Sequence, residues 1–256
     1  MTAIYAIVNQ KGGVGKTTTA ANIGAALALR HSKRVLLIDL DAQANLSAHL
    51  GYSINDPSSG LSMYDVLRYG KKIEEIIVKV SDNLHLAPAS LLLSAADLEL
   101  GGVIGRESLL KRALVSAASN YDFIIIDCPP SLGLLSLNGL VAASRVLMPV
   151  QSEFLALHGV RQLLDTIDSV RNAYNPALAV GGVLICLFDA KKKLANSVAD
   201  TVKSYFGDLA FKTIIRTNVA LAEAPAKGES IFSYSPKSRG AEDYAALADE
   251  IIERGA

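Results

Sequence analysis

The stretch Gln10-Lys11-Gly12-Gly13-Val14-Gly15-Lys16-Thr17-Thr18 has the composition of a phosphate cradle. Glycines let consecutive backbone N–H groups converge on an anion, and a helix starting directly afterwards adds its N-terminal donors and positive dipole end. Gly12, Gly13, Val14, Gly15 and Thr18 supply backbone to this cradle. Lys16 is placed to reach the β- and γ-phosphates of a nucleotide, and the Thr17 hydroxyl to ligate the Mg²⁺ that those phosphates carry. A glycine-rich turn that merely links two elements does not explain lysine and threonine at both working positions. Asp127, closing the apolar run Phe123-Ile124-Ile125-Ile126, is positioned to hold the same Mg²⁺ directly or through water. Asp39-Leu40-Asp41 closes a second apolar run. The chemistry these residues suit is transfer of a γ-phosphoryl group to water, which needs charge neutralisation, an in-line water and a group to orient it. Sequence spacing does not separate Asp39 from Asp41 for the orienting role.

The elements that must position these groups are legible as alternating apolar runs and helical patterns. Ile4 to Val8 reads as a strand before the glycine loop, and Ala20, Ile23, Gly24 and Leu27 have the spacing of a helix face laid on a sheet. Val35 to Ile38 is continuously apolar, as a parallel strand covered on both faces should be. The C-terminal ends of such strands are where open α/β sheets place ligands. Gly51 to Gly60 reads as a loop, Leu61 to Tyr69 and Ile73 to Val80 as short helices, and Leu84 to Ala87 as a strand. Leu91 to Leu100 and Glu107 to Ser119 are helical, and Cys128-Pro129-Pro130-Ser131 is a stiffened loop leaving the sheet. Then come a strand at Val146 to Val150, a helix from Phe154 to Tyr174, a strand at Val180 to Phe188, a helix near Asn196 to Phe206, a short strand at Lys212 to Ile215 and a closing helix from Ala241 to Arg254. The fold class is α/β, a mostly parallel twisted sheet with helices on both faces. At 256 residues one undivided domain spanning 1–256 is expected.

Composition narrows the function classes. Twenty-five basic residues balance twenty-five acidic ones, which argues against a protein that coats nucleic acid along its whole surface but leaves room for a local patch. Cys128 and Cys186 lie in apolar runs with no metal-ligand spacing, so both read as small buried hydrophobes. The four histidines share no motif. No apolar stretch approaches the roughly 18 residues that span a bilayer. The start of the chain lacks a basic segment with a cleavage site, so a cytoplasmic location is expected.

The loop departs from the usual G-x-x-x-x-G-K-[ST] pattern: Gln10 replaces the first glycine, and Lys11 adds a second lysine. Taken alone, Lys11 has a second reading as an ordinary solvated lysine at a loop edge. With it, K-G-G-V-G-K-T-T resembles the deviant Walker A motif of the ParA/MinD family of dimerising, P-loop NTPase-like ATPases. Asp39 to Asn45 (D-L-D-A-Q-A-N) is similar to that family's D-x-D-P-Q-x-N, with Ala42 in place of proline. Asp127 to Ser131 (D-C-P-P-S), Gln151 in P-V-Q-S-E-F, Ala222 to Pro225 (A-E-A-P) and Pro236 to Ala241 (P-K-S-R-G-A) resemble its further signatures. The resemblance covers essentially the whole chain. It implies ATP and Mg²⁺ as cofactors, and an ATPase that is slow unless a partner stimulates it. Lys11 would cross to the partner subunit's nucleotide in an ATP-bound homodimer. Asp41 would position the water, Asp39 would lie nearer the metal shell, and Asn218 and Pro236 would contact the adenine.

Between Ala190 and Gly240 basic residues outnumber acidic ones nine to four, and Lys191, Lys192, Lys193 and Arg216 are the candidate contacts to non-specific double-stranded DNA. Phosphate binding needs cations rather than a base-reading motif. Members of the family commonly carry arginine where this chain has Ala220. The leading expectation is a nucleoid-associated partition ATPase of the ParA/Soj type, for chromosome or plasmid. ATP would close a DNA-binding dimer, and a ParB-like partner would trigger hydrolysis and release. The alternatives are positioning of a non-DNA cargo on the nucleoid and a MinD-like membrane-surface ATPase. The latter needs a basic amphipathic tail, whereas Ala241 to Ala256 carries Glu242, Asp243, Asp249, Glu250 and Glu253 against Arg254 alone; no membrane partner is expected. An iron–sulfur ATPase of the nitrogenase type would need differently placed cysteines.

Overall fold

A computed structural model describes residues 2–52, 60–152 and 156–255. In chain order the strands are β1 (Ala3–Ile7), β2 (Val35–Asp39), β3 (Val78–Ser81), β4 (Leu84–Ala87), β5 (Phe123–Asp127), β6 (Arg145–Gln151), β7 (Ala179–Phe188) and β8 (Ala210–Arg216). The helices are α1 (Lys16–His31), α2 (Asn45–His49), α3 (Met63–Tyr69), α4 (Ala96–Glu99), α5 (Leu109–Ala117), α6 (Leu134–Ala142), α7 (Ala156–Ala173), α8 (Lys193–Phe206), α9 (Val219–Glu223), α10 (Ile231–Tyr234) and α11 (Arg239–Glu253). The strands form one sheet in the order β3-β4-β2-β5-β1-β6-β7-β8, parallel except where β3 pairs antiparallel with β4.

Every residue of β2 and β5 is buried, because helices cover both faces. Leu36, Ile38, Ile124 and Ile126 face a core shared with α5, α6, α7 and α8. Leu37, Ile125, Leu147 and Leu184 face one shared with α1 and α11. Period-two side-chain alternation thus divides one continuously apolar run between two cores. On α1 the face Ala20, Ile23, Gly24 and Leu27 is buried as the spacing predicts. Gly24 is small for a reason: a Cβ there would press on Leu37 of β2.

Strand register decides where the chemistry lies. β1 pairs with β5 so that Ile7 faces Asp127, and β2 pairs with β5 so that Asp39 faces Asp127. The glycine loop after β1 and the two carboxylates therefore leave the sheet abreast, at its C-terminal edge, where strand order reverses around β1.

Several segments differ from the sequence reading. Ile73 to Val80 is not one helix: Ile73–Glu75 is a single 3-10 turn, and Val78–Ser81 is the antiparallel edge strand. Its run of β-branched residues suits a pleated, half-buried surface better than a helix, and Asp82-Asn83 makes the short return to β4. Helix α6, after the Pro-Pro loop, is a further element, as are the short α9 and α10. The expected loop from Gly51 to Gly60 falls mostly outside the described residues, as does the expected helix start at Phe154.

On β7, Gly182 accommodates the ring of Phe211 from β8; a Cβ there would collide with that ring, which is itself fully buried under the Arg254 guanidinium. Gly182→Ala should lower stability by about 1–3 kcal/mol through overpacking. Urea unfolding is the check: the midpoint should fall at constant slope, and an unchanged midpoint would contradict this packing.

Candidate active site

The glycine loop is held by its neighbours rather than by its own side chains. Asn9 accepts the Lys11 N–H at 2.9 Å and donates to the Pro149 carbonyl at 2.6 Å. Gln151 donates to the Gly13 carbonyl at 2.9 Å. Gly13 and Gly15 have φ of 73° and 93°, a left-handed backbone that glycine adopts without strain. Helix α1 then begins at Lys16 with no side-chain cap and no acid in its first turn, so its N-terminal N–H groups and positive dipole end are left for an anion. Val14 is buried beneath the loop. Gly12 and Lys11 lie on its exposed lip.

Lys16 is the inward cation. It is only 8% exposed, and its ammonium donates to the Lys11 carbonyl at 3.3 Å. Burial lowers its pKa, while Asp127 and Asp41 pull it back up. Thr17 donates to Asp127 Oδ2 at 2.7 Å. The other oxygen, Asp127 Oδ1, is buried with no hydrogen-bond partner. Burial and the nearby Asp39 push the Asp127 carboxyl well above the usual range, against the opposing pull of Thr17 and Lys16. A divalent cation would reverse that by supplying the missing positive charge. Among the described residues no cluster of three His, Cys, Asp or Glu side chains could hold a metal unaided. A cation shared among Thr17, Asp127 and nucleotide phosphates fits the residues present.

Burial separates the two aspartates that spacing left equivalent. Asp39 is fully buried. Its Oδ1 accepts the Asp41 N–H at 3.1 Å, and its Oδ2 accepts the Ser47 N–H at 2.8 Å and the Ser47 hydroxyl at 2.7 Å. Burial raises its pKa to about 6. Asp39 therefore fixes the turn that leads into α2. Asp41 is half-buried, accepts the Gln43 N–H at 2.9 Å, and lines a cleft of about 530 Å³ with Gly12, Gly13, Lys16, Thr17 and Pro130.

A second cleft of about 330 Å³ continues from Gly15 and Thr18 and is walled by Cys186, Leu187, Ile215 and Tyr244. It is a predominantly apolar slot beside the phosphate loop, suited to a flat base. Asn218 lines it; its Oδ1 caps α9 by accepting the Ala220 N–H at 2.9 Å, which leaves the amide N–H₂ for a ligand. Pro236 is exposed and is not part of this wall. Leu187 joins the two clefts with a left-handed backbone, φ 53°, an uncommon conformation for a side-chain-bearing residue. Sequence reasoning did not single out Leu187 or Tyr244, because each looks like an ordinary core residue; only the chain path brings them to the loop.

Lys191, Lys192 and Lys193 are exposed just beyond the end of β7. Arg216 closes β8 opposite Phe188 of β7, so all four lie at one sheet edge. Arg216 is already engaged: its guanidinium bonds Asp243 at 2.6 Å and Glu242 at 3.2 Å. The lysines are the basic groups that extend from this edge.

Comparison with known proteins places this geometry. A family described as an AAA domain matches residues 2–180. The sporulation initiation inhibitor protein Soj of Bacillus subtilis is 47% identical over 256 residues, covering all of both chains. The chromosome partitioning protein ParA of Myxococcus xanthus is 44% identical over 98% of this chain and 88% of its own. Among solved structures, cobyrinic acid a,c-diamide synthase from Mycobacterium smegmatis with bound ATP analog and magnesium superposes with a TM-score of 0.87. It is 38% identical over 99% of this chain and 95% of that one.

The two aspartates should behave differently. Asp39→Ala strands the two buried Ser47 donors and the half-buried Asp41 N–H and should cost about 3 kcal/mol or more in urea unfolding, whereas Asp41→Ala should stay within about 0.5 kcal/mol. Equal losses would contradict the division. Lys16→Ala removes the buried cation and should abolish nucleotide binding in a direct assay; unchanged affinity would refute the cradle.

Proposed function

Because the chain belongs to the ParA/MinD family, as a partitioning ATPase that binds ATP and Mg²⁺, we propose that ATP closes it into a sandwich dimer that holds DNA non-specifically. Hydrolysis, stimulated by a ParB-like partner, releases that DNA. The observation that carries this reading is the division between two lysines of one loop. Lys16 is buried against Asp127, while Lys11 sits on the exposed lip beside Gly12, where a second subunit would approach. A Cβ at Gly12 would meet nothing within 4 Å, so that lip is open in the single chain.

Mg²⁺, when bound, would neutralise charge on the phosphates. Thr17 and Asp127 are the residues that would hold it. Lys16 and the α1 N–H groups bind the phosphates and keep them in place during transfer. Asp41, at the cleft wall, accepts a hydrogen bond from the attacking water and aligns it; Asp39 keeps Asp41 there by holding its backbone N–H. The apolar slot holds the base, with Asn218 offering a donor. Lys11 would add a positive charge from the partner subunit.

The packing of α11 favours DNA over lipid as the surface. The apolar side of α11, including Leu247, Ala248 and Ile251, is buried in the core, so it is already committed to packing. Water, rather than an acid substrate, is the acceptor in this reading, so phosphate should be released from ATP with no carboxylate compound added.

Gly12→Val should bind ATP normally yet fail to dimerise on size analysis, since its side chain has room in one chain but not against a second. Equal dimer formation by variant and parent would refute the interface. DNA affinity should require ATP and fall with log salt at about −0.9 per phosphate contact. Replacing Lys191, Lys192 and Lys193 together by Ala should flatten that slope and spare basal ATPase. Tight binding without nucleotide, or an unaltered slope, would count against this patch.

A further inference from the structure

Among the described residues, two buried side-chain polar atoms have no hydrogen-bond partner: Asp127 Oδ1 and His49 Nε2. The first belongs to the cation site described above. The second sits on a side chain that is 2% exposed and stands in the wall of the same cleft, with Ala48 and Pro225. A buried polar atom without a partner lowers the stability of a fold. Its place in a ligand cleft calls for a partner that arrives with the ligand.

Packing fixes where His49 stands. Helix α2 is anchored by Ser47, which bonds Asp39 through both its N–H and its hydroxyl, and by Leu46, buried in the core shared with α1. The end of α2 is seated on the 3-10 turn Ala224–Lys227. There Gly51 and Gly228 meet backbone to backbone with φ of 79° and 69°, and a Cβ on Gly228 would lie 2.6 Å from the Gly51 Cα. His49 is thereby held on the side of the cleft that Pro225 closes. Gly15, Thr18 and Leu187 line both this cleft and the apolar slot for the base, so the part of a nucleotide between phosphates and base passes here. That part is the sugar.

The chemistry of the ring selects the same group. Burial pulls the His49 pKa down to about 4, so the imidazole is neutral near pH 7. A neutral imidazole offers one N–H and one bare nitrogen, and a hydroxyl can accept from the first or donate to the second, so either tautomer suits it. An anion would call for an imidazolium instead. The phosphates already have Lys16 and the α1 N–H groups, and the base has the slot with Asn218; the sugar hydroxyls are the polar groups that remain. The χ2 torsion of histidine is broad, so a modest turn of the ring meets a hydroxyl entering the cleft. We propose that His49 is a sugar-recognising residue, whose Nε2 pairs with a ribose hydroxyl of bound ATP and makes the chain prefer ribonucleotide to deoxyribonucleotide. That contact depends on nucleotide binding in the cleft and not on the dimer or the DNA surface proposed above.

The test is the affinity of the full chain for ATP, 2′-deoxyATP and 3′-deoxyATP in the presence of Mg²⁺. The parent should bind ATP at least about tenfold tighter than whichever analogue lacks the hydroxyl that His49 holds. His49→Met fills a similar volume without a hydrogen-bonding nitrogen and should bind ATP and that analogue within about twofold of each other. The urea midpoint of the nucleotide-free variant should be no lower than the parent's, because the unpartnered nitrogen is gone. A parent that binds all three nucleotides equally overturns the proposal without recourse to any variant. A variant that keeps the parent's preference also overturns it and leaves His49 with packing alone. A parent that binds none of the three overturns the cleft as a nucleotide site, and this contact with it, so the two failures are told apart.

Discussion

A carboxylate is held inside the sheet with one of its two oxygens unpartnered, and the rest of the structure depends on that constraint. Asp127 is 1% exposed, bonded to Thr17 through Oδ2 and to nothing through Oδ1. An uncompensated buried charge of this kind destabilises a fold unless a cation or a proton answers it. Register places a second buried acid, Asp39, directly beside it on β2, which sharpens the need for positive charge. Lys16 answers part of the demand from the first turn of α1. Mg²⁺ and the donors of a bound nucleotide site would supply the remainder.

That arrangement explains why the neighbouring segments are built as they are. The loop is fixed from outside by Asn9 and Gln151, so its glycines keep their N–H groups directed at a ligand. Asp39 has its oxygens taken up by Asp41 and Ser47, which turns it into an anchor and leaves Asp41 at the cleft. One acid of the pair holds the backbone and the other lines the cleft. The same Ser47 hydroxyl accepts the Ala89 N–H, which ties the start of α2 to the chain leaving β4.

Much of this was legible in the sequence, for physical reasons particular to each residue. The cradle, Thr17 and Asp127 could be read because their chemistry depends on residue type at fixed short spacing. The buried parallel strands could be read because double-sided burial forbids polar residues. Asp39 and Asp41 could not be told apart, since burial is a property of register and of Ser47, eight residues downstream of Asp39. The edge strand at Val78–Ser81 was hidden by a short apolar run that fits either period. Leu187 and Tyr244 were invisible as site residues because their role comes from where β7 and α11 end up. Arg216 read as a candidate DNA contact, because its pairing with Asp243 and Glu242 comes from where β8 and α11 meet and not from spacing.

The dependence of ATP hydrolysis on Mg²⁺ in Asp127→Asn tests the central claim most directly. The substitution keeps the shape of the side chain and a possible bond to Thr17 but removes the charge behind the unpartnered oxygen. If that oxygen is where the cation is held, half-maximal phosphate release should require at least about tenfold more Mg²⁺ than in the parent. Superimposable Mg²⁺ curves for variant and parent would contradict the account.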